Sequence, residues 1–385
     1  MRYSGEIGVK SRGTARTLLN LLARNIRARL SLHRIDFSHV SVRWGRILIK
    51  SDDCDRAATQ TSRVFGVVST SPALSTEADL DVISELAVNY ARDILKPGST
   101  FAVRSRRAGR HPFTSEDVAR RVGSAILNAF RGEGVSVDLT SPDEEIYIEV
   151  RDEDAYIFHD IVEGVNGLPL GSQGGCVCLI SGGLDSPVAC YMLMKRGCIP
   201  VMVYLDNYPF TGEDTKGRAV DIAKKLAEYA AGWSIRMYIV PHGPTLTKIL
   251  RECERKLTCI ICRRMMLRVA ERIAGLQNAE AIVTGESMGE KASQTLRNLK
   301  VTNTAVAELP VLRPLVGMDK EEIVELAKKL GTFDISTRPA MCCSVPPKHP
   351  ATRAKLSEVL DTERNLKVES LITTALKNVE VIEVS

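Results

Sequence analysis

The six residues Ser181-Gly-Gly-Leu-Asp-Ser186 stand between an apolar run at 176–180 and a helix-forming stretch at 185–196. A strand that enters a glycine corner and leaves it as a helix restricts the topology severely. Two glycines permit a tight turn with N–H groups pointing inward. The helix that follows adds unsatisfied amides and the positive end of its dipole. Ser181 and Ser186 contribute hydroxyl donors. The product is a cradle for a dianionic, pyrophosphate-like group. No G-x-x-x-x-G-K-[ST] occurs and no G-x-G-x-x-G follows a strand, so this is neither a Walker loop nor a dinucleotide loop. A strand–turn–helix corner with glycines for steric reasons alone is the competing reading.

The surroundings supply the context such a corner needs. Strand-like runs at 199–205, 235–240 and 281–284 alternate with helical runs at 215–230 and 262–275. That alternation predicts an α/β domain with a parallel sheet and helices on both faces. Ligands of such sheets bind at the carboxyl ends of the strands. The segment 164–175 holds five glycines and a proline and reads as a linker.

Ahead of it, residues 1–165 read as an α+β region of two units. Leu18, Leu22, Ile26 and Leu30 recur at helical spacing among arginines, and 46–50 reads as a strand. A boundary falls near 70–73. A helix at 77–95, a strand at 100–104, a helix capped by Thr114-Ser115 and paired strands at 146–150 and 155–158 follow. The expected domains are 1–70, 71–165 and 172–385.

Charge is divided unevenly. Residues 1–50 hold eleven Lys/Arg against Glu6 and Asp36, and residues 100–131 hold seven Arg against Glu116 and Asp117. The overall net charge is only +5, so the remainder is acidic. This partition suggests a front half that meets a polyanion, with solvated basic helices as the plainer alternative. No apolar run approaches the roughly 18 residues that cross a bilayer, and no signal peptide follows Met1. A soluble cytoplasmic protein without a membrane partner is expected. In a chain of 385 residues, ten cysteines do not suggest a disulfide scaffold. Cys176, Cys178, Cys190 and Cys198 read as core, and Cys54 and Cys253 as incidental. Cys259, Cys262, Cys342 and Cys343 have a spacing that invites chemistry.

A second small-residue cluster, Thr284-Gly-Glu-Ser-Met-Gly-Glu-Lys-Ala-Ser-Gln294-Thr295, also follows a buried strand. Paired with the first loop, it resembles the tRNA 4-thiouridine synthetases of the ThiI type, themselves similar to the PP-loop ATP pyrophosphatases. Gly5-Glu-Ile-Gly-Val-Lys-Ser11 resembles the opening of that family's ferredoxin-like domain. The 70–165 region resembles a THUMP domain, with its Arg-rich turn after Phe101. Thr337-Arg-Pro-Ala-Met-Cys-Cys-Ser-Val-Pro-Pro-Lys-His-Pro350 resembles the stretch that carries the family's catalytic cysteine. Cys343 takes that position and Cys342 is its neighbour. The chain ends 42 residues after Cys343, short of the roughly 100 a further domain needs, so no rhodanese domain is expected. The archaeal-type branch is the better match.

The resemblance implies a tRNA sulfurtransferase. ATP and Mg²⁺ would adenylate the C4 oxygen of a tRNA uridine, at position 8, and sulfur would displace AMP. Ser181, Gly182, Gly183, Leu184, Asp185, Ser186, Asp206, Gly285, Glu286, Ser287, Gln294 and Thr295 would bind ATP, Asp185 and Cys343 acting catalytically. Arg264 and Lys291 are basic residues beside these motifs, and Arg264 is counted with the ATP site. Lys10, Arg104, Arg106, Arg107 and Arg110 would grip tRNA phosphates. Cys259-Ile-Ile-Cys262 opens a helix, whose positive end lowers thiol pKa. With Cys343 these thiols would hold an iron–sulfur cluster; zinc or a metal-free thiol or persulfide pair remain open. The donor would be sulfide or a persulfide carrier, and a homodimer is left open. The rival readings are a tRNA 2-thiolation enzyme and a non-catalytic tRNA-binding adaptor with a structural ATP site.

Overall fold

Strand alternation sorts the residues of the second half into two cores. Cys176, Cys178, Met202, Tyr204, Met237 and Ile239 face one cluster; Val177, Val203, Leu205, Tyr238 and Val240 face the other. A sheet apolar on both faces must be covered on both, as parallel sheets are. The computed structural model describes every residue except Trp44, Cys342 and Ser385, and has this architecture. Its six strands lie in the order Val311–Leu312, Ile282–Val283, Gly175–Leu179, Ile199–Asp206, Ile235–Pro241, Glu380–Val384. The first five are parallel and the last is antiparallel. Helices Asp185–Lys195, Asp214–Ala227 and Lys320–Leu330 contribute to one core, helix Thr258–Gln277 to the other.

Strand order decides where a ligand can sit. The chain builds outward from Gly175–Leu179 in one direction, then returns to place Ile282–Val283 on its other side. The loops leaving these two neighbours diverge, which opens a crevice at their carboxyl ends. Those loops are 181–186 and 284–295.

The chain forms two compact units, each of several segments. One comprises Met1–Tyr3, His33–Ser62 and Val67–Gly164; the other Ser4–Leu32, Arg63–Gly66 and Val165–Ser385. In the first, a five-stranded sheet (Leu74–Glu77, Asp154–Phe158, Glu144–Arg151, Thr100–Ala108, Ser136–Val137) shares a core with helices Leu80–Arg92 and Ser115–Ala129. Thr114 caps the latter helix in a reciprocal box with Asp117. The strand read at 100–104 runs on to Ala108 and carries the arginines with it.

Two expectations need correction. Helix Arg12–Leu32 buries Leu18, Leu22, Ile26 and Leu30 as its spacing predicts, but its basic residues do not all face solvent. Arg29 is buried and donates to Glu228 O, and Arg24 lies 4.2 Å over the Trp233 ring. Part of the charge of the first fifty residues is therefore structural. Nor is 164–175 a free linker. Leu168 and Leu170 are buried, and Leu168 N and Gly171 N bond to Lys195 O and Gly197 O. A β-carbon on Gly167 would stand 2.1 Å from Lys195 O, so that glycine serves close packing rather than flexibility. No helix among the described residues is long and apolar enough to cross a membrane.

Candidate active site

The first loop is held by its own serines. Ser181 N donates to Ser186 Oγ at 2.8 Å, the two hydroxyls are 3.0 Å apart, and Gly183 N donates to Ser181 Oγ at 3.3 Å. Leu184 is the N-cap of the helix and Asp185 its first residue, without a side-chain cap. The amides at this helix end are thus left for a ligand. Neither Gly182 nor Gly183 has a positive φ. At Gly182 the reason for glycine is steric, since a β-carbon would meet Arg218 Nε at 2.5 Å. Arg218 Nη1 donates to Arg338 O and Ser336 O, and Ser336 Oγ donates to Gly183 O at 3.3 Å.

The second loop packs on the first without side chains between them. A β-carbon on Gly285 would stand 2.5 Å from Ser186 N and 2.6 Å from its Cα. Glu286 is buried and takes Arg263 on one oxygen; the other accepts Arg313 Nε at 2.7 Å and Thr284 Oγ1 at 3.0 Å. Its carboxylate is an anchor for the loop rather than a group left for nucleotide. Ser287 and Gln294 are buried, and Gln294 Oε1 accepts from Lys291 N. Thr295 caps helix Leu296–Asn303 and donates to Thr352 O at 2.7 Å. Lys291 has an exposed side chain. Lys320 joins both loops, donating to Asp185 Oδ1 at 2.6 Å and Glu290 Oε1 at 3.0 Å.

Arg264 departs from the expectation. It is 1% exposed, and its guanidinium is spent on Glu363 (2.7 and 3.0 Å), Val301 O and Thr304 Oγ1. Completely enclosed and satisfied, it cannot reach a nucleotide. Burial pushes the Glu363 carboxyl up, but Arg264 and Arg268 outweigh it and hold the group below its usual range.

The cysteines are brought together from two segments. Helix Thr258–Gln277 begins before Cys259, so Cys259 and Cys262 lie in its opening turns. The segment 337–351 carries Cys343 and is fastened by Ser344 N to Phe210 O at 3.0 Å and by Ala351 N to Lys256 O at 3.0 Å. Cys343 acts electrostatically on both Cys259 and Cys262. The expected lowering of thiol pKa is not found: burial pushes both Cys259 and Cys262 up, and a charge on Cys343 adds to it. Cys342 lies outside the described residues. Among the described residues no three Cys, His, Asp or Glu side chains already stand in a metal-holding group. Asp206 ends its strand and accepts Tyr208 N at 3.1 Å.

Several residues are not singled out in the sequence: Lys320, Arg218, Arg263, Arg313 and His242, together with Glu290, which lies within the second loop but is given no role there. Only His242 has a signal, since it follows a strand at the carboxyl edge where ligands gather. Of the RNA-facing candidates, Arg106, Arg107, Arg110 and Lys10 are exposed. Arg104 differs, because its guanidinium is tied to Glu145 Oε1 at 2.7 Å and Leu139 O at 2.9 Å.

Residues 171–368 match the family described as thiamine biosynthesis protein (ThiI), residues 77–160 a THUMP domain and residues 1–71 the ThiI ferredoxin-like domain. The chain belongs to the ThiI family. A relative described as a probable tRNA sulfurtransferase, from Methanosarcina acetivorans, is 42% identical over 100% of this chain and 93% of its own. One from Moorella thermoacetica with the same description is 42% identical over 89% of this chain and 87% of its own. Among solved structures, a 4-thiouridine synthetase–RNA complex with bound ATP superposes with a TM-score of 0.89 at 34% identity, covering 100% of this chain and 98% of that one. The ThiI fold is therefore a ferredoxin-like and THUMP region followed by the parallel PP-loop sheet.

Proposed function

We propose that this chain is a tRNA uracil 4-sulfurtransferase, with domains divided near residues 70 and 165–172, working in the cytoplasm. The observation that carries the reading is the contact of Gly285 on Ser186, which makes one crevice of two loops in a fold shared with an ATP- and RNA-bound 4-thiouridine synthetase. The C4 oxygen of a tRNA uridine, at position 8, attacks the α-phosphorus of ATP, and the bond to pyrophosphate breaks. Amides of the 181–186 loop that its serines leave free, with the Lys320 ammonium, neutralise charge that develops on the departing group. Sulfide then attacks C4, and AMP leaves with the oxygen. From a persulfide carrier the terminal sulfur attacks instead, and a thiol then breaks the S–S bond to the carrier, which leaves sulfur on C4 and a disulfide between carrier and thiol.

Asp185 is the residue suited to hold Mg²⁺, because its carboxylate already attracts a cation, the Lys320 ammonium. Mg²⁺ there would neutralise phosphate charge. Cys259, Cys262 and Cys343 are soft thiol donors of the kind an iron–sulfur cluster takes, and they would have to draw together to hold one; a cluster there would supply an iron to accept external sulfide.

Purified protein given unmodified tRNA, ATP, Mg²⁺ and sulfide without oxygen should release AMP and pyrophosphate in step with 4-thiouridine, and Asp185→Ala should abolish both. Intact ATP would overturn the proposal, and sulfur found at C2 by nucleoside mass spectrometry would transfer the chain to the 2-thiolating class.

A further inference from the structure

His242 takes part in no step of that reaction, yet its surroundings are specific. It follows strand Ile235–Pro241, and its backbone N–H donates to Asp206 O at 2.7 Å. The ring is 0% exposed, and Nε2 lies 3.4 Å from the Cys262 sulfur. Nδ1 is buried and has no hydrogen-bond partner among the described residues. It caps nothing, although His242 stands at the N-cap of helix Gly243–Glu252. A glycine follows because nothing larger fits, a β-carbon on Gly243 falling 1.8 Å from Tyr208 O. The imidazole is therefore placed by backbone on both sides and offers one polar contact, to sulfur.

We propose that His242 is a positioning residue that donates its Nε2 proton to the Cys262 sulfur and fixes that sulfur toward Cys259 and Cys343. The tautomer follows from burial. With the proton on Nε2, only a lone pair is left unpartnered at Nδ1; with it on Nδ1, an N–H would be buried without an acceptor, the rarer and costlier arrangement. Donors of this kind behind a sulfur or nitrogen ligand hold its orientation and tune its electron density. The part of the inference that concerns bound iron rests on the cluster reading, whereas the hydrogen bond itself does not.

Two measurements on the full chain test it. In metal-free, reduced protein labelled with ¹⁵N-histidine, the ring resonances that vanish in His242→Gln identify His242. They should report the Nε2–H tautomer and should move in Cys262→Ala. An Nδ1–H tautomer, or resonances indifferent to Cys262→Ala, would overturn the hydrogen bond whatever metal the protein binds. The second measurement follows anaerobic reconstitution with ferrous iron and sulfide, then release of iron to a chelator. His242→Leu should lose iron about 10–100-fold faster than the parent, and His242→Gln, which keeps an amide donor, should recover most of that difference. Equal release from His242→Leu and parent would overturn the positioning role. A parent that takes up no iron would remove the cluster reading, and the tautomer measurement would then decide the hydrogen bond alone.

Discussion

Gly285 lies so close to Ser186 that a β-carbon on it would fall 2.5 Å from the Ser186 backbone nitrogen. Backbone cannot give way as a long side chain can, so Gly285→Ala must push the second loop off the first. Overpacking of this kind costs about 1–3 kcal/mol. Nucleotide affinity should fall by about 5- to 150-fold, one decade for each ~1.4 kcal/mol of distortion. Gly275→Ala is the matched control. It lies within helix Thr258–Gln277 with nothing within 4 Å of the added carbon, and it should raise stability by up to about 1 kcal/mol. Calorimetric titration with a non-hydrolysable ATP analogue and thermal melts separate the two. Unaltered affinity in Gly285→Ala would refute the shared crevice.

Lys320 offers a test that divides chemistry from stability. Its side chain is 42% exposed and bridges Asp185 and Glu290, so the pairs themselves contribute little to folding. The same ammonium stands beside the Asp185 carboxylate, where charge would develop in the proposed adenylation. Lys320→Met should lower AMP formation about 10²-fold or more while its melting temperature stays near that of the parent. A melting temperature that falls in proportion to activity would make Lys320 a structural tie only.

Arg264 and Glu363 should behave in the opposite way. Removing one member of a buried pair leaves an uncompensated charge, at a cost of about 3–5 kcal/mol. Arg264→Met should therefore unfold at much lower urea, yet its folded fraction should bind ATP like the parent. The pH dependence follows from the same pair. Because the folded Glu363 carboxyl lies below its unfolded value, its stabilisation is fully present above the unfolded pKa of about 4.3 and is lost as pH falls through the folded one. Glu363→Gln should be less stable at pH 7 and lose less stability than the parent below about pH 4.3. Urea midpoints between pH 7 and 3.5 measure this; parallel curves would contradict it.

These residues also mark how much the sequence discloses. Ser181–Ser186 and Thr284–Thr295 stand out because a run of small residues directly after a strand is a spacing that survives in one dimension, and the fold brings these two loops into contact. Arg264 is misread and Lys320 overlooked for a common reason: a lone cation carries no record of its partner. Glu363 is 99 residues from Arg264 and Asp185 is 135 from Lys320, so only the folded chain pairs them. The thiols show a different failure. Their helix is evident, but burial acts against the helix end on thiol pKa, and burial belongs to the folded chain, not to the C-x-x-C spacing. The antiparallel strand Glu380–Val384 escapes the reading because alternation of strand and helix anticipates parallel neighbours only.

The arginines of strand Thr100–Ala108 and the turn after it divide by partner, and salt can read that division. Arg104 is held by Glu145 and Leu139 O, whereas Arg106 and Arg110 are exposed and Arg107 bonds to Gly109 O and His111 of its own turn. A cation already neutralised by a carboxylate releases no counterion when RNA binds, and an exposed one does. Each RNA phosphate left without its cation should flatten the slope of log affinity against log salt by about 0.7–0.9. Arg106→Ala, Arg107→Ala and Arg110→Ala combined should therefore flatten it by about 2–3, with tRNA affinity at low salt falling most. Arg104→Ala should leave the slope unchanged, and because the Arg104–Glu145 pair is about as exposed as that of Lys320, its thermal stability should stay near that of the parent as well. Filter binding of tRNA across a salt series measures both. If Arg104→Ala flattened the slope as much as Arg107→Ala, the Glu145 pair would have to open when RNA binds, and the division by partner would not hold in the complex.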